Sequence, residues 1–485
     1  EQVEDPSLAK GIVRREVIRV VTPGTVMEGQ LLEAKTNNYL ASIAPLEKGF
    51  SFAVTDITTG LFMVSSFSGE KAESTLMEEL SRLMPAEMIM PLSEIDSLSK
   101  ILMLQGTLTI SGYKDAAFDP AGAVQALENQ FGADCLKTLA TPDAGQSIPA
   151  AGALLSFIRE TQKRDLKHIR KIHFYRSGEY MLLDATTRRN LELTLSISDA
   201  SRKNTLLSVL DYTVTAMGGR LIRNWVEQPL LEIEKIESRL TAIEALVKQT
   251  LYRKDLKAEL KHIYDLERLA GKISFGTANA RDLVALRKSL GYLPPLKMLL
   301  EQAEAPLLKE TGRFIDPMEE VQDLLNTAID DDPPTSLKDG GMIKKGFHSE
   351  VDRLSRAGRE AKNMMAGLEE RERARTGIKS LKIGFNKVFG YYIEVTRSYL
   401  KQVPEEYRRK QTLANAERFI TPELKEYEDL ILGSKERLAQ LEYSLFLEIR
   451  NKLAGEIQRI QRSAAAVARA DALYSLAEAA AAGSY

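Results

Sequence analysis

The sequence holds one cysteine, one tryptophan and four histidines in 485 residues, and the scarcities exclude whole classes of chemistry. A single thiol, Cys135, can neither close an internal disulfide nor build a Cys-rich zinc site, and it suits a reducing compartment. His168, His173, His262 and His348 show no metal-ligand spacing with one another or with Cys135. No run approaches the roughly 18 apolar residues that a membrane-spanning helix needs. The opening EQVEDPSLAKGIVRREVIRV lacks the apolar centre of a signal peptide. An excess of one charge is missing too. Lys and Arg number 66 against 68 Asp and Glu, a net of −2, which excludes a histone-like basic protein and an acidic disordered tail. The first residue is Glu rather than Met, so the chain is expected to be a piece of a longer one.

What is present is length and helical periodicity. At roughly 100–200 residues per domain the chain has room for three or four domains, and 44% hydrophobic residues can fill their cores. As far as Gln146 the pattern is mixed α/β. Glu16–Thr22, Tyr39–Ala44, Phe50–Thr55 and Leu61–Ser66 read as strands, Lys71–Leu83 as an amphipathic helix, Glu87–Met90 as a buried strand and Ala123–Phe131 as a helix. From Ala150 to Ile329 the chain is helical, with segments such as Ile233–Gln249, Asp255–Leu269 and Arg281–Leu300. Breaks are expected at Pro229, Gly271, Pro294-Pro295 and Pro306. Asp330-Asp331-Asp332-Pro333-Pro334, then Asp339-Gly340-Gly341, marks a boundary.

Beyond it, Val351, Leu354, Gly358, Ala361, Met365 and Leu368 recur at steps of three and four, the rhythm of a coiled-coil seam. Leu424, Tyr427, Ile431, Ser434, Leu438, Leu441 and Leu445 repeat it. Two helices of about 24 residues, each about 36 Å long, would run out and back as an antiparallel arm. Between them the apolar positions alternate: Leu381, Ile383 and Phe385, then Tyr391, Ile393 and Val395. That period predicts a β-hairpin with one polar face at the tip of the arm. Arg375–Arg418 carries ten basic residues against four glutamates, a net of +6 over 44 residues, so the rest of the chain carries −8. Lys and Arg with interspersed Asn, Gln and Thr are what a sequence-independent grip on a nucleic-acid backbone requires. A solvated polar surface on a coiled-coil scaffold is the competing reading.

Motifs that mimic catalytic ones fall short of them. Gly341–Gly346 has P-loop glycine spacing, but Phe347-His348 stands where Lys-Ser/Thr belongs. Gly384–Gly390 has the wrong spacing and sits in the expected hairpin. Asp56, in FAVTDITTG, is a lone strand-borne carboxylate with no second carboxylate to complete a two-metal nuclease site. The basic stretch Lys163–Arg176, which holds His168 and His173, reads as a solvated helix-to-strand connection. There is no G-x-S-x-G elbow. Nothing here reads as an enzyme.

Several motifs carry a resemblance. TPGT (Thr22–Thr25), DATTRRNLEL (Asp184–Leu193), TLLSVLDYTVTAMGGRLIRNW (Thr205–Trp225) and DGGMIKKGF (Asp339–Phe347) resemble the MutS family of DNA mismatch-recognition proteins. GFNKVFGYYIEV (Gly384–Val395) and RRKQTLANAERFITPELKEYED (Arg408–Asp429) are its most specific matches. The resemblance implies a multidomain, mostly α protein. Residues 1–15 would end a linker from a mismatch-binding domain, 16–149 form a ribonuclease H-like α/β connector, and 150–374 and 422–485 build a helical core with a long antiparallel lever arm. Residues 375–421 would be a small β-rich clamp at its tip.

By the same resemblance the clamp residues near DNA match Lys382, Asn386, Lys387, Lys410, Thr412, Asn415 and Arg418, and Gln125 lies on the connector stretch that contacts MutL. By the resemblance the chain is expected to start just after the domain that carries the family's Phe-x-Glu mismatch reader and to stop before the ATPase with its Walker A loop. The expectation is therefore a connector–core–clamp fragment with no catalytic residues, metal or cofactor of its own. Its full-length parent would be a homodimeric, DNA-dependent ATPase using ATP and Mg, cytoplasmic and nucleoid-associated, with duplex DNA and MutL as partners and no membrane. A recombination-associated paralogue of the family is a second reading, but that branch typically lacks the connector.

Overall fold

The computed structural model describes residues 14–102, 108–386, 388 and 390–483. It divides into two compact units. The first, which extends to Ala278 and includes Ala285–Gln322 and the chain from Arg450 onward, starts with a sheet. Strands β1 (Leu40–Leu46), β2 (Gly49–Asp56) and β3 (Leu61–Ser68) form an antiparallel meander. Helix α1 (Ala72–Leu83) leads to β4 (Glu87–Pro91), parallel to β1, and α2 (Ile95–Leu102) precedes β5 (Thr109–Tyr113), parallel to β4. Then come α3 (Pro120–Phe131), the short α4 (Cys135–Thr138) and α5 (Pro142–Gly145), and α6 (Ile148–Gln162). The two-residue β6 (His173–Phe174) pairs parallel with β3 and completes the order β5-β4-β1-β2-β3-β6.

The period of two sorts the strand residues onto two cores. Ala41, Ile43, Phe52, Val54, Met88 and Met90 face α1, whose Leu76 and Leu80 are buried against them. Leu40, Ala53, Phe62, Val64 and Ile89 face the other way, onto Leu154, Leu155 and Ile158 of α6. The division expected at residues 149 and 150 falls inside α6, whose apolar face belongs to this sheet's core. The strand expected at Glu16–Thr22 joins neither sheet, and Val17, Val20 and Val21 stay exposed. High β-propensity without a partner edge does not make a strand.

The remaining helices of this unit gather round α18 (Ile457–Gly483). They are α8 (Leu206–Leu210), α9 (Ala216–Glu227), α10 (Ile233–Lys248), α11 (Thr250–Leu260) and α12 (Leu266–Ser274), while the short α7 (Ala185–Asn190) packs on α1. Helices α13 (Ala280–Glu301), α14 (Pro306–Phe314) and α15 (Glu319–Ala328) come next in the chain. The single helix expected over Asp255–Leu269 is two helices. Asp265 caps α12 by accepting from the Arg268 amide at 3.2 Å and also binds both Nη atoms of Arg220, so it stops one helix and starts the next. The expected break at Pro294-Pro295 does not occur. Leu290, Leu293, Leu296 and Leu300 are fully buried along α13, and that burial offsets the donors that the two prolines remove. Gly271 lies inside α12 rather than ending it, because a Cβ there would overlap the Thr58 carbonyl oxygen.

Two buried titratable groups anchor loops in this unit. Asp471 of α18 accepts hydrogen bonds from the Val214 and Thr215 amides, at 3.0 and 2.8 Å, and from the Thr215 hydroxyl at 2.6 Å. His168 is completely buried, its Nε2 2.7 Å from the Ile57 carbonyl and its ring edge-on to Phe275. The connection that holds it is thus not wholly solvated, as the sequence suggests, but pinned by an inward imidazole. No helix among the described residues is long and apolar enough to cross a membrane.

The second unit, Asn279–Val284 and Asp323–Ile449, contains α16 (Ser349–Thr376), four short strands and most of α17 (Pro422–Ala454). The strands are β7 (Lys382–Asn386), β8 (Gly390–Thr396), β9 (Arg408–Thr412) and β10 (Ala416–Ile420). The two helices pair antiparallel: Gly358 faces Ser434, and further along Arg371 binds Glu423 at 2.6 Å. Val351, Ala361, Met365, Leu368, Leu424, Ile431 and Leu445 of the two expected seams are buried, and the others are half-buried.

The packing of the first unit generates two predictions. Gly271→Ala gains about 1 kcal/mol of helix propensity but forces a methyl group onto backbone, an overpacking cost of about 1–3 kcal/mol. The urea midpoint should therefore fall. The second concerns pH. Burial lowers the His168 pKa from 6.5 to about 4, with the Ile57 carbonyl and Asp56 opposing the shift only in part. Between those values the unfolded chain takes up a proton that the folded chain refuses, so acidification costs stability. Burial raises Asp471 from 3.8 to about 6, against the hydrogen bonds from Thr215 and Val214 and the charge of Lys35. Between those values the folded chain holds the extra proton, so acidification adds stability. Each contribution is on the order of 3 kcal/mol, and the two windows overlap with opposite signs. Comparing urea midpoints at about pH 7.5 and about pH 5, Asp471→Asn should show a larger acid loss than the unaltered chain. His168→Gln should show a smaller one.

Candidate nucleic-acid interface

The four-stranded antiparallel sheet of the second unit, in the order β7-β8-β10-β9, has two chemically distinct faces. Its inner face packs Ile393, Val395 and Phe419 onto Met365, Leu368 and Leu424 of the helix pair, joined by Ile378, Leu381 and Tyr407. Two glutamates of the helices fasten the first hairpin at both ends. Glu369 accepts from the Ile383 amide at 2.8 Å, and Glu428 accepts from the Tyr391 amide at 3.3 Å. Tyr407 donates to Glu372 at 2.6 Å and ties the connection before β9 to α16. Such half-buried carboxylate bonds hold a small sheet that its own core alone would hold weakly.

Register sets the outer face. Lys382 lies opposite Glu394, Gly384 opposite Tyr392, Arg418 opposite Glu394 and Gln411 opposite Arg418. At the centre, Arg418 donates to Glu394 at 3.0 Å and to Gln411 at 2.9 Å, and its guanidinium lies 4.0 Å from the Tyr392 ring centroid. These contacts hold Arg418 in one conformation, so it serves as a platform rather than as a mobile phosphate-seeking charge. The register slips between Arg418 and Phe419, which pair with Gln411 and Arg409, so Lys410 is the extra residue of a β-bulge. Bulges re-aim side chains at sheet edges, and Lys410 is exposed.

The sequence-derived candidates therefore separate. Lys382, Asn386 and Arg418 share the outer face, Asn386 receiving the Val388 amide on its side chain at 2.8 Å. Lys410 occupies the bulge of β9, an edge strand. Thr412 is exposed opposite Glu417, and Asn415 is exposed in the turn before β10, its carbonyl accepting from the Arg397 amide at 3.1 Å. Lys387 lies outside the described residues.

The local +6 is unevenly distributed. Glu394, Glu406 and Glu417 bind Arg418, Arg375 and Arg409, at 3.0, 2.6 and 2.9 Å. Internal pairing thus consumes most of the acid and leaves Lys379, Lys382, Arg397, Lys401 and Arg408 as exposed cations. Sequence reasoning did not single out Tyr392 and Gln411, which position Arg418. The polar phase of Tyr392 in the alternation was a usable signal; the cross-strand reach of Gln411 was not.

The catalytic look-alikes are occupied by structural duties. Both Asp56 oxygens are taken, one by the Thr58 amide and hydroxyl, the other by the Asn37 side chain and the Asn38 amide. The Gly341 amide, in the P-loop-like stretch, donates to Glu442 of α17, as does the Met342 amide at 3.1 Å. Gly340 and Gly341 both have positive φ, at 69 and 80°, and that backbone turns two successive N–H groups onto one carboxylate. Gln125 is exposed on α3 and donates to Asn129 at 3.2 Å. Among the described residues no group of three or more His, Cys, Asp or Glu could hold a metal ion.

If Arg418 is the platform and Lys382 an exposed charge, their loss should read differently. Arg418→Ala should speed amide exchange in β8 and β10 about tenfold, equivalent to roughly 1.4 kcal/mol of local stability. Lys382→Ala should leave exchange unchanged, as hydrogen–deuterium exchange mass spectrometry would show.

Comparison with known proteins places the chain in a family. The family model described as MutS domain III matches residues 186–477, MutS domain II matches 38–170 and MutS domain I matches 1–30. The DNA mismatch repair protein MutS of Pelotomaculum thermopropionicum is 66% identical over 486 residues, covering 100% of this chain and 56% of that protein. Its counterpart in Alkaliphilus oremlandii is 50% identical, with the same coverage, and that of Symbiobacterium thermophilum is 49% identical over 99% of this chain and 55% of that protein. The chain spans about half the length of the curated relatives it matches. With domain III matched over most of its length and such relatives along the whole of it, the chain belongs to the MutS family.

Proposed function

We propose that this chain acts in DNA mismatch repair as the segment that clamps the backbone of duplex DNA without reading its sequence. The observation that carries the reading is the small sheet. Most of its acid is spent on internal pairs, cations stay exposed on its strands and connections, and helix carboxylates fasten it. A lysine on the outer face and another in an edge bulge suit phosphates that track along a duplex, where each neutralised phosphate releases counterions. In this reading β7–β10 are the clamp and the paired α16 and α17 are the lever. Lys382, Asn386, Lys410, Thr412 and Asn415 face the DNA, with Arg418 as their support, and Lys387 belongs to the same contact set by its place in the sequence. The sheet of the first unit is the connector. Its strand order β3-β2-β1-β4-β5, three antiparallel strands then two parallel ones, supports a ribonuclease H-like assignment.

The surface around Gln125 would receive MutL. Dimerisation, and hydrolysis of ATP with Mg, would belong to the full-length protein, in a cytoplasmic, nucleoid-associated setting, with no catalytic cofactor needed for the grip on DNA. The domain II match over residues 38–170 weighs against the recombination-associated branch, and the relatives' shared name weighs against a mere scaffold.

Fluorescence anisotropy on a labelled, fully paired duplex tests the clamp. Binding should be indifferent to sequence and fall steeply between about 50 and about 200 mM salt. Lys382→Glu with Lys410→Glu should weaken it about tenfold or more and flatten the salt slope. No binding at low salt, even by the chain crosslinked as a dimer, would overturn the proposal.

A further inference from the structure

The connection between α6 and β6 carries five cations in nine residues, Lys163, Arg164, Lys167, Arg170 and Lys171, and the clamp does not account for them. Its backbone is fixed from beneath. Lys163 takes the left-handed conformation, φ 49°, and reverses the chain at the end of α6. Gln130 of α3 then donates to the Leu166 and Ile169 carbonyls, both at 2.8 Å. Leu166, His168 and Ile169 are buried, and Gln461 of α18 donates to the His168 carbonyl at 2.9 Å. With these residues inside, Lys163, Arg164, Lys167 and Arg170 are forced outward and exposed.

They rim a cavity of about 760 Å³ whose wall also includes Arg159 of α6 and Phe131 of α3. That volume falls in the range of roughly 300–1,000 Å³ typical of small-molecule sites. Five basic residues line it against a single acid, Asp165, 3.6 Å from Lys167. Two of the five are steered by hydrogen bonds. Arg159 donates to Gln130 at 3.0 Å, and Arg164 donates to the Phe275 carbonyl. A prearranged concave set of guanidinium and ammonium groups suits an anion carrying several charges on adjacent phosphates, since guanidinium binds phosphate oxygens in pairs.

We propose that this basin binds an oligophosphate, either free or as the phosphate chain of a nucleotide, independently of the DNA-gripping sheet. The test is isothermal titration calorimetry of the 485-residue chain with sodium tripolyphosphate and, separately, with ATP. One saturable site per chain is expected, weakened at least about tenfold by Lys167→Glu with Arg170→Glu. Lys167→Gln, a milder change on an exposed side chain, should weaken it about threefold, and Lys382→Glu with Lys410→Glu should leave it unchanged. ATP binding tighter than tripolyphosphate would identify a nucleotide as the source, and equal or weaker ATP binding a free oligophosphate. Absence of saturable binding by both anions, or unchanged affinity in both basin variants, would overturn the proposal. So would displacement of tripolyphosphate by duplex DNA, which would assign the patch to a nucleic-acid backbone.

Discussion

The first unit depends on burying one helix on nearly all sides. Helix α18 contains eleven alanines in 27 residues, and small side chains let α8 to α12 and α14 approach its axis closely. The single buried carboxylate in that helix, Asp471, then becomes a point of suspension. Both its oxygens receive bonds from the Val214–Thr215 turn, and a Cβ on Gly218 would overlap one of them. Next to it, Arg220 joins Asp265 and Glu267 at 2.7 Å each and reaches the Ala34 carbonyl at the same distance. A cation buried this deeply is stable only with its partners in place, so the run TAMGGR is constrained at almost every residue. The constraint reaches the sheet as well, because the same α18 sends Gln461 to the Thr59 and His168 carbonyls.

In the second unit, carboxylates on helices take over the role of a core. Glu369, Glu372 and Glu428 hold the small sheet, and Glu442 holds the Gly340-Gly341 turn, each by accepting from backbone amides or a tyrosine hydroxyl. Four strands of five to seven residues bury too little apolar area to be stable alone. Charge-assisted bonds to the helix pair supply the shortfall, and on the outer face Arg418, with Glu394, Gln411 and Tyr392, links neighbouring strands. The result is a rigid polar surface with a cationic surplus, the property that the proposed grip on DNA uses.

How much of this could be read in advance varied with the range of the interaction. The hairpin of β7 and β8, the seams of α16 and α17 and the strands from β1 to β4 were legible because their periods of two and three-to-four are local. The strand expected at Glu16–Thr22 failed because its residues favour β structure but find no edge to pair with. The helix expected over Asp255–Leu269 divided because Asp265 prefers to cap and to bind Arg220, a partner 45 residues away. The prolines of α13 were overridden by four fully buried leucines. Among the candidate DNA contacts, Lys382 and Asn386 are legible from strand alternation, whereas the bulge at Lys410 and the holding of Arg418 by Gln411 are not.

By itself the sequence determined the class of elements, the family through its longest motifs, and the fact that a near-neutral chain conceals a basic tip, since these depend on residue identity and short periods. Only the tertiary structure decided which charges are spent. Arg375, Arg409 and Arg418 are as basic in sequence as Lys382, yet each meets a carboxylate brought to it by strand register or by the turn before β9. The connection at residues 163–171 makes the same point in the opposite direction. Read as a solvated link, it becomes a cationic rim because Leu166, His168 and Ile169 are drawn inward by a core made of distant residues. Charge is a property of the side chain, but its availability is set by whatever folding places within hydrogen-bonding reach.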